Sequence, residues 1–299
     1  MEAEVRPPGR LNLLLISALI AAGTGLQVLA SRAESWPKLL AYGLCFSFLY
    51  LPLYTLLHEA EHLVLHPDPR WNDRLGVLLG AFFGGAFTFL RACHLGHHRR
   101  NRSDAEMFDL YYPGESLLKK RAFFYFNYLG GFWILVPLTT CLFLLVPGFS
   151  RLELIQRATS ASAMINGVPR SFLLRIRGEA LLMLLIHGAL IYALELRVGT
   201  YLLLYSMYGV NWSCQQYVTH AASPRQTLDG AHNLLAHPLY AAWLLNFNWH
   251  LAHHQHPKVP WLYLPRYDDP TRVRPPYLRA FLRFWRGPQP CQEPSPRAP

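Results

Sequence analysis

The segment LNLLLISALIAAGTGLQVLA, residues 11–30, is twenty residues long and contains no charged side chain. About 20 apolar residues are needed for an α-helix to cross the hydrocarbon core of a bilayer. The segment lacks a clear signal-peptide cleavage site, so we interpret it as an anchor helix that stays in the protein. This stretch therefore predicts an integral membrane protein.

The composition of the whole chain supports that interpretation. Of 299 residues, 52% are hydrophobic and 15% are charged, whereas an average soluble domain has about 25% charged residues. The net charge of +10 fits a membrane protein, because Lys and Arg collect on cytoplasmic loops. A nucleic-acid-binding protein would interleave basic and aromatic residues on a soluble face, and no such face is evident. Five scattered cysteines also argue against a disulfide scaffold.

Three further apolar segments have the length of membrane-spanning helices. Leu39–Leu57 follows the first segment after a short polar turn, Ser31–Lys38, so that the two form a helical hairpin. Ala180–Leu196 and Tyr201–Tyr217 form a second hairpin, with Arg197 at the turn. The two hairpins give four predicted crossings with both termini in the cytoplasm.

Two other apolar segments do not fit single crossings. Leu75–Leu90 is short and rich in glycine, which predicts a helix in the membrane interface or a re-entrant segment. Phe123–Val146 precedes an arginine-rich stretch, residues 151–177, which the positive-inside rule places in the cytoplasm. Phe123–Val146 should therefore enter the membrane and return, or lie shallow in it.

The predicted fold class is an all-α integral membrane bundle of about four transmembrane helices with a cytoplasmic histidine-rich cap. Residues 11–285 form one membrane domain in this prediction. Residues 1–10 form a short cytoplasmic N-terminus. Residues 286–299 are polar and rich in proline, which is typical of a disordered tail.

Most of the 14 histidines fall into three compact groups. Positions i, i+3 and i+4 share one face of a helix, so the imidazoles of each group point in one direction. Three such stripes converge only if something binds them, and neutral imidazole is a ligand for Zn, Cu, Fe and Ni. The three groups are His58 and His62; His94, His97 and His98; and His250, His253 and His254.

Eight imidazoles are too many for one ion, and the number fits two ions with four or five ligands each. His220, which follows the last predicted span, is a candidate ninth ligand. The remaining histidines show no repeated spacing and are interpreted as packing residues or as residues that support the ligands. They are His66, His187, His232, His237 and His256.

The motifs HEAEH (58–62), HLGHH (94–98) and HLAHH (250–254), in this order and among apolar spans, resemble the membrane fatty acid desaturase superfamily. The segment from Asn248 to Pro257, NWHLAHHQHP, is similar to the sequence around that family's last histidine motif. The resemblance covers about Leu39 to Arg266. Any one motif alone is a weak signal, whereas the three together are specific.

The resemblance implies a fatty acid desaturase, acting on an acyl-lipid or acyl-thioester, with two iron ions, O2 as co-substrate and no catalytic residue beyond the ligands. The eight motif histidines would bind iron, and His220 matches an extra histidine of the family. Glu59, Gln216 and Asn248 would support the ligands. Electrons would come from a ferredoxin or a cytochrome b5-like donor. The basic runs 99–102 and 119–121 could face that donor or anionic lipid, and we favour lipid.

Three alternatives remain open at this stage. A hydroxylase or ketolase of a carotenoid, an alkane or another lipid would use the same site. His58, Glu59 and His62 also fit the HExxH pattern of a zinc protease, although this leaves the other two motifs without a role. A non-enzymatic metal carrier or scaffold is the third alternative.

Overall fold

A computed structural model describes residues 5–293. The described chain is mostly helical, with one two-stranded sheet. Its helices are α1 (Gly9–Ser31), α2 (Trp36–Leu49), α3 (Leu51–Glu61), α4 (Pro69–Phe83), α5 (Phe87–Arg100), α6 (Leu117–Phe126), α7 (Phe132–Leu145), α8 (Glu153–Arg157), α9 (Thr159–Asn166), α10 (Leu173–Ala193), α11 (Val198–Gln215), α12 (Pro238–Trp243), α13 (His250–Gln255) and α14 (Tyr277–Phe284). The strands are β1 (Leu110–Tyr111) and β2 (Gln289–Pro290).

Four helical segments of the described chain are long and apolar enough to cross a membrane. They are Gly9–Ser31, Trp36–Glu61, Leu117–Leu145 and Arg170–Ala193. Many of their large apolar side chains are exposed, including Leu14, Leu44 and Leu185, as expected for surfaces that lipid covers. The prediction of an all-α membrane bundle is confirmed.

Helix α11, which contains most of the predicted span Tyr201–Tyr217, is not among the segments of the described chain that are apolar enough to cross a membrane. Its second half carries polar residues, and these find partners in the neighbouring helices: Asn211 donates to Ser47 Oγ at 3.3 Å, and Ser213 Oγ accepts from the main-chain N–H of Trp133 at 3.1 Å. Gly209 permits this packing, since a Cβ there would lie 2.5 Å from the ring of Trp133. A helix that shields its polar groups in this way need not be uniformly apolar.

Ion pairs and hydrogen bonds identify the two ends of the bundle. Arg91, one turn before His94, pairs with Asp73, which also pairs with Arg175 near the start of α10. We call this end the histidine end. At the other end of α10, the main-chain N–H of Arg197 donates to Ser31 Oγ at 3.1 Å. Helix α10 therefore runs from the histidine end to the opposite end.

The segment from α6 to α7 has contacts with the histidine end on both sides. Lys120 donates to the main-chain carbonyl of Met107, and Arg177 at the start of α10 donates to that of Phe143. Between them, a π-helical turn contains Gly130 at φ +116°, a backbone conformation that glycine adopts readily. The segment is long enough to cross a membrane, yet its end contacts are those of a segment that enters and returns.

Helices α4 and α5 form a bent pair with an angle of 94°. Gly84 ends α4 in the left-handed conformation at φ +100°, the usual role of glycine at a helix C-terminus. A broken span and a re-entrant segment both fit this geometry, and the sequence had suggested the second. Because of the bend, α5 runs back toward the end of α3, so that the second histidine group lies beside the first.

Part of the predicted C-terminal tail has a defined place. Gln289 and Pro290 pair in parallel with β1, and the N–H of Cys291, which is buried, donates to the carbonyl of Tyr111. The sequence predicted disorder from residue 286, whereas in the structure the main chain up to Cys291 completes a sheet. The rest of that prediction, for residues 294–299, and the first four residues of the predicted N-terminus lie outside the described residues.

Candidate metal centre

Four separate parts of the chain carry the clustered histidines. The first group sits at the end of α3, where His58 occupies the last turn and His62 follows it. The second lies on the last turns of α5, the third on α13, and His220 in the turns after α11. Helical spacing explains why the members of each motif share a face, and the bundle brings the four faces together.

The structure sorts the nine imidazoles into two groups. Within each group the candidate ligand atoms lie within 4.8 Å of one another. Each HxxHH motif is divided between the groups, a division that the spacing alone did not predict. The five-histidine group is His58, His62, His94, His98 and His253, and the four-histidine group is His97, His220, His250 and His254.

The ring nitrogens of the five-histidine group face one another. Nε2 of His94 lies 2.7 Å from Nε2 of His62 and 3.1 Å from Nε2 of His98, which lies 3.1 Å from Nε2 of His253. Each nitrogen of a neutral imidazole is either one donor or one acceptor. At most two of these three contacts can therefore be ordinary hydrogen bonds, whereas a cation between the rings would accept every lone pair.

Unpartnered nitrogens give a second test of whether a metal fits. The Nε2 atoms of His58 and His254 are buried and have no hydrogen-bond partner among the described residues, and each group contains one of them. A buried polar atom without a partner costs free energy, which a bound ion would remove. The donor set and these free nitrogens fit two ions, one in each group.

Burial and hydrogen bonds keep these rings ready to bind metal. Burial, reinforced by neighbouring imidazoles, lowers the pKa of His220, His250, His253 and His254 well below the usual range. The rings are therefore neutral near pH 7, the form that binds a metal. His220 Nδ1 lies 2.8 Å from the carbonyl of Gly230, a contact that favours the tautomer with a free lone pair on Nε2.

Sequence reasoning missed Glu106, which contacts a candidate ligand directly. The carboxylate of Glu106 is buried, accepts a hydrogen bond from Nδ1 of His97 and pairs with Arg100. Buried Arg102 holds the surrounding loop by pairing with Asp109. The available signal was the density of acidic residues just after the second motif, where Asp104, Glu106 and Asp109 follow within eleven residues of His98.

The three residues predicted to support the ligands have other partners within the described chain. Glu59 accepts a hydrogen bond from the main chain of Trp261 at 2.9 Å. Gln216 donates to the hydroxyl of Tyr54 at 3.2 Å, and Asn248 donates to the carbonyl of Leu234 at 2.8 Å. These contacts hold helices and loops near the histidines rather than the rings themselves.

The five remaining histidines lie outside both groups. His187 lies between the hydroxyl of Tyr201 and the carbonyl of Ala81, and the ring of His256 contacts that of Tyr267 at a tilt of 50°. His237 caps α12 by accepting from the N–H of Leu239. His66 accepts from the N–H of Asp68, and burial lowers the pKa of His232.

Two of the basic residues predicted to face a donor or lipid are engaged inside the protein. Arg102 is 2% exposed and pairs with Asp109, and Arg100 pairs with Glu106. That part of the prediction is wrong, because these side chains bind carboxylates of the loop after the second motif. Arg99 and Arg121 remain exposed.

The fold and the site define an integral-membrane helical protein with a largely buried nine-histidine centre suited to metal. A model of the family described as fatty acid desaturase matches residues 34–286, and the chain therefore belongs to the fatty acid desaturase family. A search of curated proteins finds no match to the chain. The resemblance inferred from the three motifs is confirmed, and membership makes the chain an oxidoreductase that acts on lipid.

Proposed function

We propose that the chain is an O2-dependent di-iron membrane oxidoreductase that introduces a C=C bond into a fatty acyl chain carried as a lipid or a thioester. The observation that carries the proposal is the convergence of nine imidazoles in two adjacent groups. Family membership supports iron over the other metals that imidazole binds.

The five-histidine group would hold one iron ion and the four-histidine group the other. Bound iron would supply, with O2, the oxidising power that an unactivated C–H bond requires and that acid–base groups lack. The contribution of the chain is to fix these ligands. Glu106 orients His97, and the carbonyl of Gly230 orients His220, in the manner of the outer partners of metal ligands in other proteins.

The surroundings of the five-histidine group suit an apolar substrate. A small pocket lined by Phe247, Leu245 and Leu264 reaches His58 and His253. Both histidines are 2% exposed, so bulk water is kept from the reacting carbon. Exclusion of water protects a reactive oxidant from side reactions.

The proposed function also requires an electron donor and an orientation in the membrane. A separate ferredoxin or cytochrome b5-like protein supplies electrons, and the histidine end faces the cytoplasm. The arginines between residues 151 and 177 support this orientation, since positive residues collect on the cytoplasmic side and Arg175 and Arg177 bond at the histidine end.

The contacts of Glu59 do not favour a zinc protease. In that class the glutamate acts as general base beside a zinc ion with three protein ligands. Here the carboxylate of Glu59 is bound to the main chain of Trp261, and His58 and His62 lie among three further imidazoles.

Lipid analysis of a host that expresses the chain tests the proposal. We expect a new unsaturated acyl product, together with iron in the purified protein, and loss of the product in a His253→Ala variant that still inserts into the membrane. An alcohol or ketone in place of the alkene would assign the chain to lipid hydroxylation or ketolation. Product formation by iron-free protein would contradict the proposal.

A further inference from the structure

A second pocket lies directly beside the one that reaches the histidines. Both pockets are lined by Thr55 and Phe247, so they adjoin. The walls of the second pocket are largely apolar and aromatic, including Leu51 and Leu244 from two different parts of the chain. Tyr54, one turn before His58, also lines it.

Three polar atoms at this pocket have no hydrogen-bond partner among the described residues. They are Nε1 of Trp212, Oγ1 of Thr219 and Oδ1 of Asn248. Trp212 is 5% exposed, and Thr219 and Asn248 are each 3% exposed. Buried polar atoms are normally paired, so three unpaired ones on residues that line one pocket are available to bond a polar group of a ligand.

The donor and acceptor roles of the three atoms limit which functional group of a ligand can bond to all of them. The indole N–H of Trp212 only donates, the amide oxygen of Asn248 only accepts, and the hydroxyl of Thr219 does either. A ligand hydroxyl matches the set, because it accepts and donates at once. The side chain of Asn248 is held in this orientation by its N–H bond to the carbonyl of Leu234.

The lack of charge in the lining argues against a carboxylate or a phosphate as the bound group. None of the described residues that line this pocket is charged. A carboxylate or a phosphate bound there would be buried without a cation, which is strongly unfavourable. A plain hydrocarbon would leave all three polar atoms unpaired.

We propose that this pocket binds a hydroxyl group of the lipid substrate, close to the carbon that is oxidised. The proposal rests on the function proposed above, and it deepens that function by naming the substrate class as a hydroxyl-bearing lipid. Thr219 directly precedes His220, and Asn248 precedes His250 by two residues. The bound hydroxyl therefore lies near the histidine centre rather than at the remote end of a long chain.

Binding to the purified full chain in lipid nanodiscs tests the proposal. The probes are an alkane, a primary alcohol and a fatty carboxylate of one chain length. We expect the alcohol to bind at least about tenfold more tightly than either of the others, because it alone makes hydrogen bonds without a buried charge. Thr219→Val, which removes the hydroxyl and keeps the shape, should reduce this preference about fivefold. Trp212→Phe, which removes the indole N–H together with part of the ring, should reduce it at least as much.

Tyr128→Phe is the matched control. It removes another buried, unpartnered hydroxyl, from a residue that does not line either pocket, so the preference should be unchanged. Equal binding of the alkane or the carboxylate, or an equal loss in Tyr128→Phe, would overturn the proposal. If the protein binds iron and oxidises a lipid without this preference, only the pocket assignment fails. If the preference holds in protein that binds no iron, the pocket stands and the di-iron function fails.

Discussion

Removal of the Glu106 carboxylate should weaken metal binding by the four-histidine group and leave metal binding by the five-histidine group unchanged. Glu106 is 2% exposed and accepts a hydrogen bond from His97, a member of the four-histidine group. Without it, the ring of His97 loses the partner that fixes its orientation and tautomer. The five-histidine group has no hydrogen bond to Glu106 among the described residues.

The expected magnitude follows from this single contact. Loss of a carboxylate that orients a metal-binding histidine typically lowers metal affinity 10–100-fold, which corresponds to about 1.4–2.7 kcal/mol. Glu106→Ala should show this loss for one ion of the two. Glu106→Gln should recover part of the affinity, because its amide oxygen still accepts the hydrogen bond but without the charge.

A chelator titration measures the effect. Iron retained per chain is followed as a competing chelator is added, and Glu106→Ala should show one ion leaving early and the other leaving as in the wild type. Glu153→Gln is the control, since Glu153 lies in an exposed ion pair with Arg157 and should change nothing. Early release of both ions, or of neither, would refute the assignment of Glu106 to one group.

Two further predictions concern stability. A Cβ on Gly23 would lie 2.1 Å from the ring of Tyr50, whereas one on Gly25 would meet nothing within 4 Å. Gly23→Ala should therefore destabilise the bundle by about 1–3 kcal/mol, and Gly25→Ala should be neutral or slightly stabilising. Thermal unfolding in detergent would show the difference, and equal effects of the two substitutions would disprove the close contact. Arg102→Met should cost about 3–5 kcal/mol, because it leaves the buried carboxylate of Asp109 without its cation; an unchanged melting temperature would contradict that pairing.

The sequence was most informative where a simple periodicity governs the structure. Runs of about 20 apolar residues predicted three of the four candidate membrane helices, all except Leu117–Leu145. The i, i+3, i+4 spacing predicted the shared faces of the histidine motifs. Both signals are local, so no knowledge of tertiary contacts was needed. His220 also joined the cluster, although its position after a helix gave only a weak signal.

Tertiary contacts account for what the sequence did not predict. The division of each HxxHH motif between two groups depends on how α5 and α13 face each other, which spacing within one motif does not encode. Glu106 and Arg102 looked like surface residues because charged side chains usually are, yet they bind partners inside the protein. Gln289 and Pro290 looked disordered because a proline-rich composition carries no information about a strand partner more than a hundred residues away.

The metal content of active protein tests the central claim most directly. Purified chain that is reconstituted with ferrous iron and shown to oxidise a lipid should contain about two iron ions per chain, one for each histidine group. His98→Ala should remain in the membrane but lose both full iron occupancy and oxidation. Fully active protein without iron, or with a single zinc ion, would contradict the account.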